Sequence, residues 1–226
     1  MKRKKPSTKE LHFAVLATDV VIFTIHEKIL KVLLIDVHIP PFYKHMLGVP
    51  GGLIRPHETA DASVRRHLKG KTGVVPSYIE QLYTFSSVNR DPRGRVVSVA
   101  YLVLVSPEAI SKSLNARKVY WKDAKRLLNL AYDHNEIVKK GLERLEAKLG
   151  YSTIAQGFLK PQFTLGELQE VYEVVLRKKF DKRNFRKKLF ALNLVRPTGG
   201  EKRGGANRPA ALHKFAKRQT EFFQFL

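Results

Sequence analysis

Apolar positions along the chain follow two different periods, and the change from one to the other divides it. Residues 14–23 (AVLATDVVIF) and 29–35 (ILKVLLI) are dense runs of β-branched and aliphatic side chains separated by a short HEK segment. Such runs predict a hairpin of two strands buried on both faces. Pro40, Pro41 and Gly48 then interrupt the pattern before a pair of glycines, Gly51 and Gly52. A helix is predicted over 59–71, with Ala62, Val64, Arg65 and Leu68 giving only a partial apolar stripe, so it must rely on packing. Gly73 suits a left-handed helix stop, and residues 74–85 read as a turn and a strand. The NRDPRG segment at 89–94 is a turn, VVSVAYLVLV at 96–105 is the strongest strand signal, and KVYW at 118–121 is a short strand. Val138, Leu142, Leu145 and Leu149 recur at helical spacing, predicting a helix over 135–149.

Strands mixed with two helices describe an α/β layer ending near Gly150, after which the period changes. Residues 151–162, punctuated by Gly157 and Pro161, read as a linker with room for a short helical turn. Thr164 with Glu167 forms a capping box for a helix whose stripe is Leu165, Leu168, Tyr172, Val175 and Leu176. Asp181 caps a second helix, which turns Phe185, Leu189 and Leu192 inward and leaves Lys182, Arg183, Asn184, Arg186 and Lys187 outside. Two short extended pieces around a basic glycine-rich loop, with Lys202, Arg203, Asn207 and Arg208, complete the pattern of a winged helix-turn-helix. The expected division is a basic tail (1–12), an α/β domain (13–150), the linker (151–162) and the winged module (163–226).

Charge sharpens this picture. The 226 residues carry 42 Lys and Arg against 20 Asp and Glu, a formal charge of +22, with no cysteine. That excess favours a polyanionic partner through counterion release. Lack of cysteine excludes disulfides, thiol catalysis and thiolate zinc sites. The basic start is followed by no signal-peptide core and no apolar run reaches membrane-spanning length, so a cytoplasmic protein without a membrane partner is expected. In the winged module the caps, the aromatic core spacing and the basic wing together favour DNA over a merely solvated charged face, and Arg208 before Pro209 suits a minor groove.

The stretch from Gly51 to Val74 carries the other chemistry. It follows the outline of a Nudix box, G-x5-E-x7-R-E-U-x-E-E-x-G-U with U apolar, matching at Gly52, Glu58, Arg66, Leu68, Gly73 and Val74. The three glutamates that the resemblance assigns to magnesium fall on His67, Gly70 and Lys71. Diphosphate hydrolysis needs carboxylates close together on one helix face to supply oxygen to hard cations, and neither lysine nor glycine does so. Lys71 would instead put its own charge where the cation would sit. The expectation is a diphosphate-binding pocket that hydrolyses nothing, with no cofactor and no metal. Glu58 and Arg66 either meet the ligand or form an ion pair holding the loop. The turn offers Arg90, Arg93 and Arg95 as phosphate forks and Asp91 as a ribose acceptor, and Arg55 joins the candidate ligand set.

The box with VPGG before it, NRDPRGRVVSVAY, DHNEIVKKGLERLEAKLGYS, FTLGELQEVYE, DKRNFRKKL and NRPAALHKF together resemble the Nudix-related transcription regulators, whose best-known members control NAD metabolism. The resemblance implies an α/β Nudix-like sandwich domain followed by a C-terminal winged helix-turn-helix domain. It also implies a homodimeric repressor that holds double-stranded operator DNA and senses a small-molecule effector, ADP-ribose in the NAD-related branch and a pentose in another. The turn resembles that of ADP-ribose hydrolases, which favours the first. The family usually has a tryptophan where Leu47 stands and a basic pair where Asp36 and Val37 stand, both near the expected pocket. A divergent diphosphate hydrolase using Glu58 and Asp61, and a metabolite sensor that binds RNA, are the competing readings.

Overall fold

Strand β1 (Val15–His26) runs through the middle of a seven-stranded sheet. The computed structural model describes residues 13–108, 110, 119–127, 129–203, 209–217 and 222; the expected basic tail and the wing residues Asn207 and Arg208 lie outside them. Alternate side chains of β1 enter two separate cores, Val21, Phe23 and Ile25 on one face and Val20 and Ile22 on the other. This is why its sequence is apolar at nearly every position.

The hairpin to β2 (Ile29–Ile39) closes through Glu27 and Lys28, both at positive φ (52° and 59°). Such a two-residue turn matches the twist of its strands, so both strands outrun the predicted segments. β1 and β2 pair only near this turn, from Phe23↔Val32 to His26↔Ile29. Further along, β1 pairs with β4 (Gly51–Leu53), while β2 is held on its far side by β7 (Val119–Asp123) and β3 (Tyr43–Gly48). The two strands therefore diverge and leave a wedge between them. On its other edge β1 lies parallel to β6 (Val96–Leu104), which pairs antiparallel with β5 (Tyr78–Phe85).

One face is covered by α1 (Ala60–His67) and a π-helical turn, Leu68–Thr72. The single α-helix predicted over 59–71 is thus divided, and Ala62, predicted to face inward, is exposed. Leu68 and Thr72 of this turn are both buried, with Thr72 Oγ1 donating to the Leu68 carbonyl at 2.7 Å, and Gly73 ends it at φ 69°. The other face is covered by α2 (His134–Leu149), whose Ile137, Val138, Leu145 and Leu149 meet Val21, Phe23, Leu102 and Leu104.

That second core does not stop at residue 150. A 3-10 turn, Ile154–Phe158, buries Ile154, Ala155 and Phe158. The same apolar cluster continues into α3 (Leu165–Leu176) through Leu168, Tyr172 and Val175, and into α4 (Lys182–Ala191) through Phe185 and Leu189. Fully burying each such large side chain contributes roughly 1.5–3 kcal/mol. A three-stranded sheet, order β8-β10-β9, completes the C-terminal part, with β8 (Phe163–Thr164), β9 (Val195–Lys202) and β10 (Ala210–Phe215). β9 carries Thr198, Gly199 and Gly200 within the strand.

Gly141 lets α2 approach the sheet closely, since a Cβ there would lie 2.8 Å from Val21 Cγ1. Gly141→Val is expected to destabilise the protein by about 1–3 kcal/mol through overpacking, read as a lower urea midpoint at unchanged slope.

Candidate ligand cavity and nucleic-acid interface

The wedge between β1–β4 and β2–β3 is a cavity of about 330 Å³. Its wall includes Asp19 of β1, Asp36, Val37 and His38 of β2, Gly51 and Gly52 of β4, Lys71, and Arg90, Asp91 and Arg93 of the turn before β6. Tyr132 and His134, where α2 begins, close one side. The structure thus brings Lys71, Arg90, Asp91 and Arg93 together as expected from sequence. Arg55, Glu58, Arg66 and Arg95 are not in the cavity wall.

Arg90 is 7% exposed, and its fork is already occupied. Nε and Nη2 donate to the two Asp133 oxygens at 2.8 and 2.7 Å, and Nη2 also reaches Asp19 Oδ2 at 2.9 Å. His134 Nδ1 accepts from the Val49 amide at 3.1 Å, which puts the imidazole proton on Nε2, 3.7 Å from Asp19 Oδ1. Burial raises the pKa of Asp19, but His134 and Arg90 outweigh it and hold the carboxyl below the usual range. Arg90, expected as a phosphate fork, is therefore a tie between strand, turn and helix.

Asp91 is similarly engaged, because Arg93 donates to Oδ1 from its amide and Nε and to Oδ2 from Nη2 at 2.7 Å. Its expected role as a free ribose acceptor does not fit that geometry. The half-exposed Arg93 guanidinium lies 5.8 Å from the Tyr132 ring centroid. Arg95 turns the other way, donating to the Ser86 and Ser87 carbonyls. Glu58 receives Arg66 Nε and Nη2 at 2.6 and 2.7 Å and the Arg55 amide at 3.1 Å, so this pair staples the loop before α1. The hydrogen bonds from Arg66 hold the Glu58 pKa at about 2.

Lys71 is set apart among the basic residues of the wall by its bond to a carbonyl, Nζ to Gly51 at 2.5 Å. Desolvation lowers the pKa of this ammonium while Asp19 nearby opposes the shift. It stands on the π-helical turn, the position at which the box would carry a glutamate. His67 is packed against Gly52, where a Cβ would come within 2.8 Å of His67 Cε1, and its Nε2 has no hydrogen-bond partner among the described residues. Burial, with Lys71 and Arg66 close by, lowers its pKa to about 4.

Asp19, Tyr132, Asp133 and His134 were given no role from sequence. A carboxylate inside the apolar run of β1 was the available signal, since a buried charge requires a partner. Of the departures near the pocket, Asp36 and Val37 do line the cavity, whereas Leu47 packs into the core.

At the other end of the molecule, Thr164 and Glu167 form the expected capping box, and Asp181 Oδ1 accepts the Asn184 amide at 2.8 Å. Lys182, Arg183, Asn184, Arg186 and Lys187 of α4 are all exposed, as is Arg203 beyond β9. Lys182 also lines the cleft between α3 and the β1–β2 turn, and Lys202 is bound to Glu167 Oε1 at 2.7 Å.

Fold and surface define a class: a Nudix sheet with an internal ligand cavity, joined to a winged helix that exposes a basic second helix. Residues 15–142 match the NUDIX domain model and residues 156–215 match the NrtR DNA-binding winged helix domain. The chain is similar to the ADPR responsive transcriptional repressor NtrR of Acinetobacter baylyi, 31% identical over 212 residues, 92% of this chain and 84% of that one. It is also similar to Shewanella oneidensis NrtR, solved with a 27mer DNA, at 38% identity and TM-score 0.81, covering 90% of this chain and 94% of that one. The NUDIX domain of that protein, solved with ADP ribose, is 36% identical, with TM-score 0.53 over 62% of this chain and 94% of its own. An ADP-ribose pyrophosphatase of Methanocaldococcus jannaschii is 36% identical over 113 residues, half of this chain and 66% of that one. The chain belongs to the NrtR family of Nudix-related transcriptional regulators.

The buried neutral His67 has a pH signature. Its folded pKa of about 4 lies below the ordinary 6.5, so the unfolded chain takes up the proton first as pH falls. Its contribution to stability is full above pH 6.5 and declines between 6.5 and 4. Relative to the unmodified protein, His67→Gln is expected to lose roughly 2 kcal/mol less stability between pH 7 and pH 5, measured as urea midpoints at both values.

Proposed function

We infer that this protein is a transcriptional repressor that holds operator DNA through residues 163–226 and senses ADP-ribose in the cavity of residues 13–150. One observation carries the reading: the Lys71 ammonium stands in a cavity next to Gly51 with no carboxylate hydrogen-bonded to it among the described residues. A diphosphate would supply the missing negative charge, and the exposed part of Arg93 would supply a second cationic group. The arrangement binds such a ligand without the carboxylate ligands that magnesium-assisted hydrolysis needs. His67, Gly70 and Lys71 at the three glutamate positions support a sensor in place of an enzyme. ADP-ribose is preferred to a pentose because the relatives respond to or hold it and because a free pentose offers Lys71 no anion.

The DNA-facing set is Lys182, Arg183, Asn184, Arg186 and Lys187 of α4 with Arg203 of the wing. Their exposure supports it. A homodimer would place two copies of α4 on successive major grooves, about 34–36 Å apart. The effector releases DNA only by binding the released state more tightly. No helix among the described residues is long and apolar enough to cross a membrane.

Lys187→Ala is expected to weaken operator binding and to reduce the slope of log affinity against log salt by about one, as removal of one phosphate contact does. Unchanged affinity and slope would remove α4 from the interface. Lys71→Met is expected to weaken ADP-ribose binding about tenfold by calorimetry while leaving DNA affinity intact. Incubation of the unmodified protein with ADP-ribose and magnesium should yield no AMP, and turnover abolished by Glu58→Gln would establish the hydrolase reading instead.

A further inference from the structure

Three carboxylates line the cavity, and two of them have both oxygens paired. Asp19 faces Arg90 and His134 with its two oxygens, and both Asp91 oxygens accept from Arg93. Asp36 differs. Its Oδ2 pairs with His45 Nδ1 at 2.8 Å, and Oδ1 has no hydrogen-bond partner among the described residues. The His45 ring also stacks on His38, with centroids 4.4 Å apart. His38 itself lines the cavity. The β2 wall therefore presents a held carboxylate with spare acceptor capacity, while the Lys71 ammonium projects from the opposite, β4 side.

We propose that Asp36 is a specificity-determining residue that accepts hydrogen bonds from the vicinal hydroxyls of a ribose in the ligand. The assignment rests on the ADP-ribose reading and deepens it. A carboxylate takes two adjacent hydroxyl donors, each a charge-assisted bond, and repels any anionic group in the same place. The cavity then has two chemically distinct sides, cationic for the diphosphate at Lys71 and Arg93 and anionic for a sugar diol at Asp36. A ligand with a phosphate at both ends, or one lacking a diol, fits this arrangement poorly.

A thermodynamic cycle tests the pairing. ADP-ribose, 2′-deoxy-ADP-ribose and 2″-deoxy-ADP-ribose are titrated calorimetrically into the full chain and into Asp36→Ala, whose fold is checked by its ligand-free melting temperature and its DNA affinity. One of the deoxy ligands is expected to bind the unmodified protein about tenfold more weakly than ADP-ribose, and that gap should close in the variant. Gaps that persist in Asp36→Ala, or equal binding of all three ligands to the unmodified protein, overturn the role of Asp36 and leave the effector reading standing. Failure of ADP-ribose itself to bind the unmodified protein overturns both.

Discussion

The buried guanidinium of Arg90 is the contact on which the ligand cavity depends. It joins Asp19 in the central strand to Asp133 before α2, and it comes from the turn that forms a third wall. Three segments far apart in sequence are thereby held around one hollow. Removing one partner from a buried, hydrogen-bonded ion pair of this kind typically costs 3–5 kcal/mol, because a charge is left without compensation. The cavity can remain open because these charges are satisfied by one another. Lys71, the exposed part of Arg93 and Asp36 keep capacity toward a ligand.

Helix α2 connects this hollow to the DNA-facing part. Asp133 and His134 at its start belong to the Arg90 network, and Leu145 and Leu149 near its end lie in the core shared with Phe158, Leu168 and Tyr172. Lys125 adds a polar tie, donating to Glu146 of α2 and to the Val175 carbonyl of α3. A continuous apolar core transmits displacement because it is close-packed and has little void to absorb movement. A ligand that shifts the start of α2 is thus mechanically linked to the seat of the winged helix. The physical placement supports coupling between effector and DNA, whose sign is set by which state the ligand prefers.

Much of the molecule is legible from sequence because its signals are local. The two-sided burial of β1, the capping box at Thr164, the Asp181 cap and the glycine stop at Gly73 all follow from residues within a few positions of one another. The exposed basic face of α4 is read the same way, from helical spacing alone. The π-helical turn was not legible, since the helical period of the segment reads the same for one unbroken α-helix. Nor was the burial of the segment after Gly150, where Gly157 and Pro161 suggested a linker while Ile154 and Phe158 enter the core.

The sequence by itself determined the two-part architecture and the basic helix, because periodicity, caps and residue identity are properties of neighbouring positions. Only the tertiary structure decided which charges are available. In sequence Arg90, Asp91 and Arg93 look like ligand-binding groups, Asp36 stands out only as a departure from the family pattern, and Asp19 and His134 look like nothing in particular. Folding occupies Arg90 with Asp19 and Asp133, occupies Asp91 with Arg93, and leaves Lys71 and Asp36 on opposite sides of the hollow. Arg90 is occupied by partners brought from 43 and 71 positions away, and no local pattern encodes that.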